Sequence, residues 1–401
     1  MTRTVSSRPG ASLMKYLDGY RDPRAAQGLL ARIRAAVTRP WTIMDACGAA
    51  THLLRFGIDR ELPDGLELVH GPGCPVSLVP VELLDRAMAT ASVPGVILCT
   101  SGDLLRVPGS QGTLNELRHR GADVRPVYSP LDALALAKKN PERMVVFFAV
   151  GFETTAPTAA AAVREADRLA LANFAILSGH VRMAPALASA LAAPGCPAQA
   201  VLAAGPVATV IGLDAFATLA QETQLPVVIT GTEPVDLLEG LLHAVVHLER
   251  GTHGLENQYA RAVRPGGNPQ ARATIDAVFE PVDLTWGELG PIAACGLALR
   301  TEYHAFDAAL RFPLVVRSTD SAESNHPPGC ACLEMVTGRL RPYDCPAYGT
   351  RCTTDRPLGA PMAAPEGTCA AYWRFRRTNP NAPVLDRATI DVSTPSLVPR
   401  V

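Results

Sequence analysis

Between residues 42 and 250 short apolar runs alternate with helical stretches, roughly ten to fifteen residues each, and this alternation restricts the chain to few architectures. The runs at 42–46, 66–69, 95–99, 124–128, 144–150, 174–177, 200–203 and 227–229 read as buried strands. The amphipathic stretches 52–62, 81–91, 113–120, 131–140, 158–170, 185–192, 208–222 and 235–249 read as helices. Strand–helix alternation is the signature of βαβ units and parallel sheets. We therefore expect an α/β fold with two similar doubly wound parallel-sheet domains facing a cleft, at 41–140 and 141–250. The polar run Lys138-Lys139-Asn140-Pro141-Glu142 marks the boundary, and Met144 opens a fresh buried strand. After residue 250 the periodicity weakens, although 271–279 and 302–310 read as helices. Residues 1–40 and 251–401 are expected to form a third, irregular domain, with an amphipathic N-terminal helix over 14–37 broken at Asp22-Pro23.

In an open α/β sheet, ligands bind beyond the carboxyl ends of the strands. The unusual sequences of this chain fall there. Cys47-Gly48 ends the first strand, and Gly71-Pro72-Gly73-Cys74-Pro75 follows the second. Thr100-Ser101-Gly102-Asp103, Gly151-Phe152-Glu153-Thr154-Thr155 and Ser178-Gly179-His180 follow later strands. Any one of these is an ordinary Gly-rich turn. Taken together, with two cysteines among them, they mark a site. A thiol at a helix N-terminus has a depressed pKa and is a better nucleophile or metal ligand, which singles out Cys47 and Cys74. His52 is a ligand or proton carrier, or a helix cap. Asp103 and Glu153 are acid–base groups or, more simply, caps. Cys99 and Cys295 read as small buried hydrophobes.

The second organising stretch lies near the end. Five of the ten cysteines sit between residues 330 and 369, in a segment filled with Pro and Gly. Cys332, Cys345, Cys352 and Cys369 follow C-x12-C-x6-C-x16-C. Little regular structure can hold such a segment, and four thiolates on a metal would pin it. An iron–sulfur cluster takes four Cys thiolates. Zinc accepts the same set but usually draws it from short C-x2–4-C knuckles, which are missing here. A disulfide network needs an oxidising compartment. The spacing favours metal, and iron–sulfur ahead of zinc. Cys330 is left as the spare thiol, being too close to Cys332 for both to serve.

Composition excludes other classes. The formal net charge is −1 and there is no long basic run, so no nucleic-acid partner is expected. The longest apolar run, 145–150, is far too short to span a bilayer, so no membrane role is expected. The N-terminal residues lack the apolar core of a secretory signal, and a cytoplasmic protein is expected. There is no G-x4-G-K-[ST] loop and no G-x-G-x-x-G fingerprint to support nucleotide binding.

The ordered set Cys47-Gly48…Thr51-His52, GPGCPV at 71–76, SGDLLRVPGS at 101–110, VGFETTAP at 150–157, ENQYARAVRPGGN at 256–268 and the terminal cysteine array resembles the HypD family over residues 40 to 373. Those proteins are maturation factors for nickel–iron hydrogenases. The resemblance implies two similar α/β domains and a third carrying a 4Fe-4S cluster on Cys332, Cys345, Cys352 and Cys369. It implies a scaffold for assembling the Fe(CN)2CO unit, with a redox role rather than a conventional enzyme activity. A HypC-like small chaperone and a HypE-like cyanide donor would be the partners, and a hydrogenase large subunit the indirect client. Cys47 would give a thiolate to the cargo iron, and the cluster would pass electrons toward the Cys74 loop. Three positions depart from the family pattern. GPGCPVC ends here in Ser77, the first His of CGGHTH is Ala50, and a further family cysteine is Pro361. Serine cannot form a disulfide with Cys74, so the two-thiol relay is broken as the family builds it. The alternative is a degenerate paralogue that keeps fold and cluster as an iron–sulfur metallochaperone or interaction scaffold, without thiol redox transfer. A different enzyme using Glu153 or His180 as acid–base group ranks last.

Overall fold

The computed structural model describes residues 18–286, 289–313 and 329–376. Two parallel sheets form its centre. The first has strand order β2-β1-β7-β8-β9, from β1 (Trp41–Ala46), β2 (Leu66–His70), β7 (Ala200–Ala204), β8 (Pro226–Thr230) and β9 (Gly254–Asn257). The second has order β4-β3-β5-β6, from β3 (Val96–Thr100), β4 (Val124–Pro126), β5 (Met144–Gly151) and β6 (Phe174–His180). All pairings within both sheets are parallel. An antiparallel hairpin, β10 (Phe279–Thr285) with β11 (Pro291–Leu299), lies against β6. The eight expected strands are all present, and β9, β10 and β11 are additions.

The α/β class therefore stands, but strand pairing does not follow the expected division at residue 141. β3 pairs with β5 across that point, Val96 opposite Met144. The chain lays down β1 and β2, leaves to build the whole second sheet, and returns to complete the first with β7–β9. Local apolar character makes a segment a buried strand. It carries no information about which sheet receives it, because that depends on partners a hundred residues away. Residues 18–40 also depart from expectation. The helix Pro23–Ala36 buries Leu29, Leu30 and Ile33 in the core of the first sheet, against the helix Pro234–Arg250. Asp22 caps it by accepting from Arg24 N–H, and Pro23 needs no N–H partner in the first turn. The break read at Asp22-Pro23 is thus a helix start.

The cores follow the layers. One surrounds the first sheet, and two cover the faces of the second. Phe152, Val181 and Met183, which follow β5 and β6, are buried in the core of the first sheet. Residues 329–376 form a lobe of short helices with its own small core of Met335, Cys345, Ala347, Cys352, Met362 and Cys369. Its helix Cys332–Val336 packs on β2, and its helix Thr368–Phe375 packs on Ala50–Arg55. No helix among the described residues is long and apolar enough to cross a membrane.

Candidate functional site

The order of the first sheet puts β1 between β2 and β7, so the chain turns one way from β1 to β2 and the other way to β7. That reversal is the switch point at which open α/β sheets bind ligands. Asp45 ends the part of β1 that is paired with β2, opposite His70, and Cys47 follows two residues later. Gly48 then takes φ +73°, in the left-handed region that favours glycine. Its backbone lies directly against Gly73 of the loop after β2. Two glycines in contact allow the Cys47 and Cys74 loops to sit side by side.

Asp45 is 2% exposed and fully bonded. Its Oδ1 accepts from Cys47 N–H at 3.1 Å, from Cys47 Sγ at 3.0 Å and from Ala49 N–H at 3.4 Å. Its Oδ2 faces His70 Nδ1 at 3.3 Å. Burial pushes this carboxyl up, but the hydrogen bond and charge of His70 and the bonds from Cys47 together hold it below the ordinary range. The Cys47 thiol is pushed well up, first by burial and then by the Asp45 charge and its own bond to that carboxylate. Cys74 is pushed up to about 11 by burial. Hydrogen bonds from the N–H groups of Ser77 and Val76 and from the Ser77 hydroxyl favour its thiolate without offsetting burial. The expectation of depressed thiol pKa values at helix N-termini is therefore overturned. Both thiols are buried, and the turn after Cys74 is a single 3₁₀ turn, Pro75–Leu78, too short to carry a strong dipole.

His52 sits inside the first turn of the helix Ala50–Arg55. Its Nδ1 and the Thr51 hydroxyl are buried without hydrogen-bond partners among the described residues. Burial holds the His52 imidazole below its usual pKa. Asp103 lies in the 3₁₀ turn Gly102–Arg106, within electrostatic range of Glu366. Glu366 in turn acts on Cys74. The structure thus brings Cys74, Asp103 and Glu366 to one region. Glu153 is elsewhere in role. Both its carboxylate oxygens accept from Met183 N–H at 3.2 Å, so it caps the helix Met183–Ala192. Sequence reasoning missed Asp45, His70, Glu366 and Tyr372. Asp45 stands two residues before Cys47 and His70 immediately before the GPGCP loop, which was the available signal for both.

Burial pushes the Glu153 carboxyl up from 4.5 to about 7. The folded protein then holds this proton more tightly than the unfolded chain does. The stabilising contribution is full below the unfolded value and is lost as pH rises through the folded one, costing up to about 3 kcal/mol. Glu153→Gln is expected to flatten the fall in stability between pH 4.5 and 7. Denaturant unfolding at several pH values checks this, and an unchanged pH profile in the variant would refute it.

In the C-terminal lobe, Cys330, Cys345, Cys352 and Cys369 line one apolar cavity, with Met335 and Met362 in its wall. Cys332 is not in that wall. It opens the helix Cys332–Val336, and its S–H donates to Cys330, which holds Cys330 below the ordinary thiol range and pushes Cys332 well above it. The N–H of Leu358 donates to Cys352 Sγ at 3.4 Å. A Cβ at Gly359 would overlap Cys330 Sγ, so glycine keeps that thiol's position open. Among the described residues no three His, Cys, Asp or Glu side chains are placed to hold a single metal ion. Four thiols around a shared apolar cavity, with a backbone N–H directed at sulfur, fit the donor set of an iron–sulfur cluster. Cys330, and not the expected Cys332, is the fourth thiol in that wall.

Buried thiols at a parallel-sheet switch point, joined to a lobe with a cysteine-lined cavity, define a thiol-rich α/β protein suited to handling a soft metal. The family model described as the hydrogenase formation hypA family, HypD, matches residues 24–376. The hydrogenase maturation factor HypD of Rhodobacter capsulatus is 41% identical over 371 residues, covering 90% of this chain and 98% of that protein. The factor of the same name from Escherichia coli K12 is 40% identical over 379 residues, covering 92% and 100%. That of Cupriavidus necator is 36% identical over 376 residues, covering 91% and 98%. The chain belongs to the HypD family, as its motifs led us to expect.

Proposed function

We propose that this protein is a hydrogenase maturation factor that serves as a scaffold for assembling the Fe(CN)2CO unit of a nickel–iron hydrogenase. The arrangement at the end of β1 carries this reading: a buried Cys47 donates its S–H to an Asp45 held in its ionised form. A metal takes the thiolate, so the thiol must lose its proton when the cargo iron binds. Asp45 Oδ1 is the acceptor already in place for it. Cys330, Cys345, Cys352 and Cys369 would hold a 4Fe-4S cluster, which when bound supplies one-electron chemistry. Met335 and Met362, in the cavity wall, would shield it from water. A HypC-like chaperone and a HypE-like cyanide donor are the partners we assign, with a hydrogenase large subunit as recipient, in the cytoplasm.

Iron and sulfide analysis with Mössbauer and infrared spectra tests the proposal, on anaerobically purified protein alone and with a HypC-like partner. Cluster iron plus an additional low-spin iron with CN and CO stretching bands is expected. Cys47→Ala should abolish the additional iron and its bands while leaving the cluster iron. Undiminished bands in Cys47→Ala would overturn the role given to Cys47.

One observation favours the second reading, a scaffold without thiol redox transfer. The Ser77 hydroxyl is hydrogen-bonded to Cys74, where the family pattern has a second thiol. Ala50 is likewise packed into an apolar cluster with Leu54, Ala371 and Tyr372 and offers no proton donor. Under that reading, full maturation activity requires Ser77→Cys and Ala50→His, whereas full activity of the unaltered chain excludes it.

A further inference from the structure

The buried network at Asp45 does not stop at His70. His70 Nε2 lies 3.1 Å from the Tyr372 hydroxyl, and all three side chains are at most 8% exposed. His70 Nδ1 faces Asp45 Oδ2 at 3.3 Å, and Cys47 donates its S–H to Oδ1 of the same carboxylate. The second ring nitrogen, Nε2, is hydrogen-bonded to the Tyr372 hydroxyl, so the imidazole is held at both ends. Tyr372, His70, Asp45 and Cys47 thus form one continuous run of hydrogen-bonded side chains. Such a chain polarises its members and fixes the orientation of each.

We propose that His70 and Tyr372 are positioning residues for Cys47, and that through them the geometry of the thiol is tied to the helix that carries Cys369. The anchors at both ends are rigid. Asp45 and His70 are opposed in the β1–β2 register, so the sheet sets their separation. Tyr372 lies on the helix Thr368–Phe375, one turn after Cys369. Its ring meets His70 edge-on at 5.4 Å and Tyr343 at 5.7 Å. Ala371 beside it packs with Ala50 and Leu54 of the helix following Cys47. Beyond the helix, Arg376 Nε donates to Asp59 at 2.9 Å, clamping this face of the lobe to the first sheet's helices. A shift of the Cys369 helix therefore has a direct route to Asp45 Oδ1, the atom that orients the Cys47 sulfur. Groups behind a metal ligand orient it in this manner in metal sites generally.

The proposal rests on the reading of Cys47 as the functional thiol, but its test needs no cargo iron. The rate of Cys47 alkylation is measured by peptide mass spectrometry on the full chain purified alone under anaerobic conditions, with Cys74 as the internal control. Tyr372→Phe, which removes one oxygen, is expected to speed labelling at Cys47 about fivefold, the scale of one lost hydrogen bond, without changing Cys74. His70→Ala should do the same. His70→Gln, whose amide can both donate to Asp45 and accept from Tyr372, should restore the wild-type rate. Cys369→Ala should speed Cys47 labelling in the wild-type background and add nothing once Tyr372→Phe is present. An unchanged or slower Cys47 rate in Tyr372→Phe overturns the proposal. So does an equal rise at Cys47 and Cys74, which signals general loosening. If labelling behaves as expected but Cys47→Ala still binds cargo iron, the positioning role stands and the assignment of Cys47 as iron ligand falls.

Discussion

Alanine at Cys330 is expected to strip iron and acid-labile sulfide from the purified protein almost completely, while alanine at Cys332 leaves both in place. The two residues are neighbours but one, and by chain position either could complete a set with Cys345, Cys352 and Cys369. The fold separates them. Cys330 precedes the helix Cys332–Val336 and enters the cavity wall beside Gly359. Cys332 lies within the first turn of that helix and directs its S–H at Cys330. A cluster left with three protein thiolates lacks a side chain on its fourth iron and is less firmly held, which makes a large difference between the two variants the expected result. Cys332→Ala removes a hydrogen bond to sulfur, so a shifted reduction potential with full iron content is the expected outcome there. Iron and sulfide assays with EPR of the reduced protein decide between the two. Loss of the cluster in Cys332→Ala, with retention in Cys330→Ala, would return the assignment to the C-x12-C spacing.

The second large effect is expected at Gly73. A Cβ there would lie 2.6 Å from Gly48 N and 2.9 Å from Gly48 Cα. Both are backbone atoms and neither can swing aside. A Cβ at Gly48 would in turn lie 2.8 Å from Gly73 O, on a residue whose φ is already +73°. Gly73→Ala must separate the loops after β1 and β2, at a cost of about 1–3 kcal/mol from overpacking. Separating the loops also displaces Cys47, so under the role proposed for that thiol, capture of cargo iron should fall further than stability does. Gly102→Ala is the matched control, since it lies on another carboxyl-end loop with nothing within 4 Å of the added carbon. Thermal unfolding and the infrared bands of co-purified protein are the two measurements. Equal behaviour of the two variants would mean that the close approach of Gly48 and Gly73 is not needed.

Position in the chain and position in the site part company at several residues. Cys47 and Cys74 were legible because strand ends followed by Gly, Pro and a thiol are rare, and in a parallel sheet all strand ends lie on one edge. Glu153 stood in the same kind of loop and proved to be a helix cap for Met183. Nothing in the GFETT segment reveals this, because the capped helix begins thirty residues later. Tyr372 could not be found at all. It is one aromatic residue in a short helix, and its meaning comes from His70, 302 positions away in sequence.

The sequence by itself determined the α/β class, the strand segments, the edge of the first sheet where thiols gather, and the family. These are local properties: apolar runs of strand length, turn residues and ordered motifs record themselves where they occur. Tertiary structure alone decided that β3 and β4 join β5 and β6, that Cys330 rather than Cys332 faces the cavity, and that burial raises the pKa values of Cys47 and Cys74. Each of these depends on which distant segment packs against a residue and how much water that packing removes. Pairing free energy, cavity shape and desolvation are properties of the assembled neighbours, and no window of sequence contains them.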